Sequence, residues 1–298
     1  TFLETNHMKY YALIEAGGTK FNCAIANENR EIIIEKRFPT TTPADTIAAV
    51  ISFFTQQKEA GCHFEHLGLA CFGPLDLNPQ SASFGSITST PKANWSNVDI
   101  KAQLERALDC AVAIDTDVNA AALAEFKWGA SKGANVNIYV TVGTGVGGGV
   151  VINGQTLKGL VHPELGHMLI SGVPEIKGVC PFHGNCVEGL ASGKAMSDIW
   201  QQAAQELPDN HPAWDIEAKV LGNFCHNLMV SFSPQSIVIG GGVMEKAGLL
   251  DKTIEYAEQS LKNYIVFPYK HGLKEIITPP GLGQHSGLLG ALALVLSE

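Results

Sequence analysis

Between Lys9 and Phe38 the chain places its apolar residues in three short runs, YYALIEA, FNCAIAN and IIIEKRF, separated by GGTK and ENRE. Runs of that length between turn residues predict three consecutive strands. The pattern changes over residues 43 to 60, where apolar side chains recur at helical spacing behind Thr42-Pro43. HLGLACFGP then reads as a buried strand ending at Gly73-Pro74, so strand, helix and strand imply a parallel crossover. The Gly-, Ser-, Thr- and Pro-rich stretch from Pro79 to Asn97 reads as loop, followed by a helix over 97–108, the strand AVAID and a helix over 119–130. From Asn137 the same grammar returns: NIYVTV, the glycine turn GTGVGGG and the strand VVINGQTLKG. A strand entering a glycine-rich turn and coming back as a second strand, twice in one chain, predicts an internal duplication. Helices fill roughly 190–232, QSIVIGGGVM reads as strand, glycine turn and helix start, and LLGALALVL closes the chain as a helix. The first seven residues carry no pattern and are set aside.

Composition narrows the function classes. With 298 residues, 45% of them hydrophobic, the chain can bury an extensive core in two domains or one large one. Net charge is −9, from 20 basic and 29 acidic residues, and no stretch gathers the basic ones. Neither nucleic acid nor a membrane surface is therefore expected as a partner. No apolar run approaches the ~20 residues that a membrane-spanning helix needs. The seven cysteines are an odd number spread over a long chain with no secretory leader. They read as reduced thiols or metal ligands in a cytoplasmic protein.

Three constellations carry chemistry. Glycine turns follow strands at Gly17-Gly18-Thr19-Lys20, Gly143-Thr144-Gly145 and Gly240-Gly241-Gly242. Such turns serve tight hairpins, and they also let backbone N–H groups approach a phosphate with no Cβ in the way. No P-loop motif is present, and the G-x-G-x-x-G within GTGVGGG lies in a hairpin rather than opening a helix, against a dinucleotide fold. Asp115-Thr116-Asp117-Val118-Asn119 marks a strand end and a helix start, where a carboxylate can cap the helix or reach a substrate. The third is His162-Pro-Glu164-Leu-Gly-His167, followed by Cys180, His183, Cys186 and Glu188. Thiolate and imidazole ligands three residues apart in a turn suit tetrahedral Zn²⁺, whereas polar loop residues and buried thiols are the plainer alternative. Four protein ligands would leave no open position, making the site a brace rather than a reactor.

Taken in order, the words IEAGGTKF, CFGPLD, TPKANW, DTDVNAAALAE, GTGVGGG, HPELGH, CPFHGNCVEGLASG, VIGGGV and HSGLLGALAL resemble the ROK family of sugar kinases, and within it the bacterial zinc-containing fructokinases. The resemblance runs from about Tyr10 to the end. It implies an α/β, two-lobed actin-like ATPase fold of the ribonuclease H-like, hexokinase type, internally duplicated and carrying a zinc-binding loop. The implied lobes are residues 8–118, closed by a C-terminal helix over 283–298, and residues 119–282 with the zinc loop at 162–190. The implied activity is ATP-dependent phosphorylation of a hexose at its primary hydroxyl, D-fructose to fructose 6-phosphate, with ATP, Mg²⁺ and Zn²⁺ as cofactors and a homodimer as the assembly.

Carried over by position, the resemblance implies Asp117 as general base. Phosphate and nucleotide contacts fall on Gly17, Gly18, Thr19, Lys20, Gly143, Thr144, Gly145, Gly240, Gly241 and Gly242. Sugar contacts fall on Asn94, Glu164, His167 and Glu188, and zinc ligands on His167, Cys180, His183 and Cys186. Two positions depart from the wider family, Glu15 for its usual Asp and His183 for its usual Cys, and both resemble the fructokinase branch. Alternatives are a ROK kinase for mannose, glucose or an N-acetylated hexosamine, and a sugar-sensing regulator without catalysis. The repressors of that family carry an additional N-terminal helix-turn-helix segment, for which eight residues ahead of the first strand leave no room.

Overall fold

The computed structural model describes residues 8–268 and 271–297; the seven leading residues lie outside them. The elements follow the hydrophobic pattern: β1 (Tyr10–Ala16), β2 (Lys20–Asn27), β3 (Ile32–Pro39), α1 (Pro43–Glu59), β4 (Phe64–Cys71), α2 (Ile100–Leu108), β5 (Ala111–Thr116) and α3 (Asp117–Trp128). The second half brings β6 (Val136–Val142), β7 (Val146–Ile152), β8 (Gln155–Thr156), α4 (Val187–Ala191), α5 (Gly193–Trp200), α6 (Ala213–Phe232), β9 (Ser236–Gly240), α7 (Leu249–Leu261), β10 (Ile277–Thr278) and α8 (Ser286–Val295). Among the described residues no helix is long and apolar enough to cross a membrane.

The first compact unit runs to Ala124 and adds Lys158–His162 and the chain from Gln284. Its sheet has the order β3-β2-β1-β4-β5, antiparallel across β1, β2 and β3 and parallel across β1, β4 and β5. The second unit, Glu125–Leu157 with Pro163–Gly283, repeats the plan as β10-β9-β6-β7-β8, with the hairpin strands antiparallel and β6, β9 and β10 parallel. The duplication read from two glycine turns thus extends to strand order and direction. The first unit retains the start of α3, as far as Ala124. The reason is packing: in α8, a Cβ on Gly290 would lie 2.6 Å from the Ala120 carbonyl carbon, so the two helix backbones touch.

Several boundaries moved. The helix expected from 97 begins at Ile100, because the Asp99 carboxylate accepts from the Ala102 N–H at 3.2 Å and sets the cap there. The helix expected from 119 begins two residues earlier, since the Thr116 hydroxyl accepts from the Asn119 N–H at 3.1 Å. The helical stretch 190–232 is broken into α4, α5 and α6, the first break lying at Ser192, whose hydroxyl caps α5. The turn after β9 leads into a single 3-10 turn, Gly242–Glu245, and not directly into an α-helix.

One buried residue breaks the apolar rule. Glu217 lies 2% exposed in the inward stripe of α6, among Ala213, Val220, Leu221 and Phe224, and its Oε1 has no hydrogen-bond partner. Burial pushes its carboxyl well above the usual range. Below the ordinary glutamate range both folded and unfolded chains hold this proton; as pH rises, the unfolded chain ionises first and folding loses stability. Glu217→Gln carries no such penalty. It should match the parent's Tm near pH 4.5 and exceed it at pH 8, gaining about 1.4 kcal/mol for each pH unit over which the folded chain retains the extra proton. Equal thermal melts at both pH values would disprove this.

Candidate active site

In the first unit the glycine turn joins β1 to β2, closed by the Gly17 N–H donating to Lys20 O at 2.9 Å. Thr40, at the exit of β3, braces it twice: its hydroxyl donates to Gly17 O at 2.7 Å and its N–H to Thr19 O at 2.9 Å. Gly18 faces open space, as a turn that meets a ligand with its backbone requires. Asn94 is exposed, with φ of +68°, on a loop fixed by its neighbours. Trp95 is fully buried, donates from Nε1 to Thr41 O at 2.8 Å and packs on Phe21 and Phe72, while the Lys92 ammonium donates to Thr40 O at 3.2 Å. The TPKANW word is therefore an anchor that holds Asn94 out.

Asp117 opens α3 half-buried, its Oδ1 accepting from the Val118 N–H at 2.9 Å. Thr116 supplies the helix cap, so capping does not account for an acid at 117. Asp117 lies close enough to Cys71, at the end of β4, that its charge adds to burial in pushing that thiol well up. Asp115 is fully buried. Its Oδ1 accepts from the Thr116 N–H and from Asn119 Nδ2, both at 2.8 Å, and its Oδ2 meets Lys158 Nζ at 3.0 Å.

In the second unit the β6–β7 turn is held from two sides. The Val146 N–H donates to Glu188 Oε2 at 3.1 Å, and the Gly193 N–H, at the start of α5, donates to Gly143 O at 2.7 Å. The turn after β9 needs glycine at 241, where φ is +98° and a Cβ would fall 2.4 Å from Val142 O. Gly143, Thr144 and Gly242 line one cavity of about 600 Å³, together with Lys194, Val243 and Trp214. The structure therefore brings the second and third glycine turns together. Glu164 is exposed at the head of the short turn Leu165–His167.

The four Cys and His residues also converge. One donor atom from each of His167, Cys180, His183 and Cys186 lies within 4.8 Å of every other. Cys180 Sγ is 3.7 Å from His183 Nδ1, and Cys186 Sγ is 3.6 Å from His167 Nδ1. A tetrahedral Zn²⁺ with bonds near 2.3 Å to sulfur and 2.05 Å to nitrogen places such atoms about 3.6 Å apart, so the donor set fits that ion. Cys186 also caps α4, accepting from the Gly189 N–H at 3.4 Å, which ties this cluster to the helix that carries Glu188.

A model of the ROK family matches residues 11–298. The chain belongs to the ROK family. A fructokinase of Zymomonas mobilis subsp. mobilis is 42% identical over 302 residues, covering 98% of either chain. A fructokinase of Lactococcus lactis subsp. cremoris is 40% identical over 262 residues, 87% of this chain and 88% of its own. Among solved structures, the ROK hexokinase from Thermus thermophilus gives a TM-score of 0.78 at 28% identity, covering 97% of this chain and 98% of that one.

Some of this ROK chain's polar architecture escaped the sequence reading. Glu15, Asn22 and Arg37 form a row across β1, β2 and β3: Asn22 Nδ2 donates to Glu15 Oε2 at 2.7 Å, and Arg37 Nε donates to Asn22 Oδ1 at 2.9 Å. Counting pairs outward from the Gly17–Lys20 turn places Glu15 opposite Asn22, so register was the available signal. Thr40 and Lys158 had no such signal, because nothing local marks their partners.

Proposed function

We propose that this ROK chain is an ATP-dependent fructokinase that transfers the γ-phosphoryl group of ATP to the primary hydroxyl of D-fructose, yielding fructose 6-phosphate and ADP. The observation that carries the reading is Asp117, an acid at the head of α3 whose helix is capped by the residue before it. As the sugar oxygen attacks the γ-phosphorus, Asp117 accepts its proton, the bond from phosphorus to the bridging oxygen breaks, and ADP leaves with that electron pair. The turns Gly17-Gly18-Thr19 and Gly143-Thr144-Gly145 take the charged phosphate oxygens of the Mg²⁺–ATP substrate on their inner N–H groups, the Gly17 and Gly143 N–H groups closing the turns on Lys20 O and Gly145 O, with Lys20 at the edge of the first turn. The nucleoside lies in the cavity bordered by Gly242, beyond the turn Gly240–Gly242.

Asn94, Glu164, His167 and Glu188 read the sugar hydroxyls. A carboxylate bridging neighbouring hydroxyls discriminates between sugars, because the wrong epimer forfeits one of its two hydrogen bonds. His167 Nδ1 faces Cys186 Sγ, leaving Nε2 as the nitrogen for a hydroxyl. His167, Cys180, His183 and Cys186 hold Zn²⁺, which supplies a rigid loop and no chemistry. The 42% and 40% identical fructokinases support fructose as the sugar. Purified chain assayed with Mg²⁺–ATP against fructose, mannose, glucose and N-acetylated hexosamines should give kcat/KM for fructose at least about tenfold above each other sugar. A higher value for any of the others would reassign the substrate, and no turnover on any would remove the kinase reading.

A further inference from the structure

We propose that Lys158 is a positioning residue for Asp117 and acts through the buried carboxylate of Asp115. Lys158–His162 groups with the first unit, although Leu157 before it and Pro163 after it belong with the second. Apolar burial does not hold this short segment in place, since Leu160 is 100% exposed and Val161 63%. Polar contacts hold its two ends. The Lys158 ammonium meets Asp115 Oδ2 at 3.0 Å, and His162, 5% exposed, accepts from the Leu75 N–H at 3.0 Å on Nε2.

Asp115 is where the segment touches the chemistry. Its Oδ1 holds the Thr116 N–H and Asn119 Nδ2, and Thr116 in turn holds the Asn119 N–H. Asp117 lies between those two residues, so its backbone is carried by whatever orients Asp115. Asp115 is 0% exposed, and removing the lysine charge from a buried carboxylate weakens the field that holds it in its present rotamer and charge state. A change in either loosens the hydrogen bonds that set the start of α3. Lys158, with 42% of its side chain exposed, is by contrast cheap to replace.

The inference rests on Asp117 being the base, and four variants of the full chain separate the two. Lys158→Met should lower kcat on fructose roughly 10- to 100-fold, the scale of a small misplacement of a reacting group, while KM for fructose and for ATP stays within about threefold. Lys158→Arg should restore kcat. So should Lys158→Met combined with Asp115→Asn, because the neutral amide keeps an oxygen for Thr116 and Asn119 and does not call for the lysine's charge. That rescue is not expected if Lys158 merely supports its own loop. A Lys158→Met enzyme with unaltered kcat, or a loss that the double variant does not recover, overturns the proposal. Asp117→Asn is the reference: if it keeps its kcat, the base assignment fails and the role of Lys158 falls with it. If it is slow while Lys158→Met is not, only the Lys158 inference fails.

Discussion

Asp117→Asn should bind fructose and Mg²⁺–ATP with KM values close to those of the parent and turn over ~10²- to 10⁴-fold more slowly, the usual worth of a positioned proton acceptor. The amide preserves the shape of the side chain and its Oδ1 contact with the Val118 N–H, and Thr116 continues to cap α3, so the helix start should not move. What disappears is the ability to take up the hydroxyl proton as the new bond to phosphorus forms. Loss confined to kcat is the signature of an interaction made only in the transition state. Steady-state kinetics with both substrates varied, alongside a thermal melt showing an unchanged fold, make the measurement. A variant that retained more than about a third of the parent kcat would move the base elsewhere, since general-base catalysis is worth far more than that.

The fold and much of the candidate site were legible because they rest on local rules. Short apolar runs around glycine turns gave β1, β2, β6 and β7, and Cys180, His183 and Cys186 at a spacing of three residues converge with His167 from the motif before them. Contacts between residues remote in sequence were not legible. Lys158 and Asp115 are 43 positions apart, and no motif marks a lysine that neutralises a buried acid. Helix α7 was read as starting too early, at the glycine turn itself, for a different reason. Its buried residues Leu249, Thr253, Ile254, Ala257 and Leu261 follow a helical spacing, but it opens on Gly248 with no side-chain cap, and its start resembles a continuation of the preceding glycine-rich turn. The Asp115–Asp117 segment shows the limit most clearly. Pattern alone offered two acids for capping and catalysis, whereas the cap came from the threonine between them, and one acid turned inward to a lysine.

Removal of the proposed Zn²⁺ should be the second large effect, and it should appear in sugar affinity rather than in phosphoryl transfer. Cys186 both belongs to the four-donor cluster and caps α4, the helix bearing Glu188, whose carboxylate also receives the Val146 N–H of the second glycine turn. A brace at Cys186 therefore sets the position of Glu188 and, through it, one edge of that turn. Cys186→Ser separates the two duties of the residue, since a hydroxyl still accepts from the Gly189 N–H but is a poor zinc ligand. The variant should be purified with close to no zinc, melt at a lower temperature than the parent, and show KM for fructose raised at least about tenfold, because metal binding stabilises the folded loop. Its kcat at saturating fructose should fall much less, as Asp117 and the first glycine turn belong to the other unit. Chelation of the parent protein, with zinc content measured on the assayed sample, should reproduce the same split. A demonstrably zinc-free enzyme with unchanged KM and Tm would reduce the cluster to four polar residues sharing a loop, and Glu188 would need some other support.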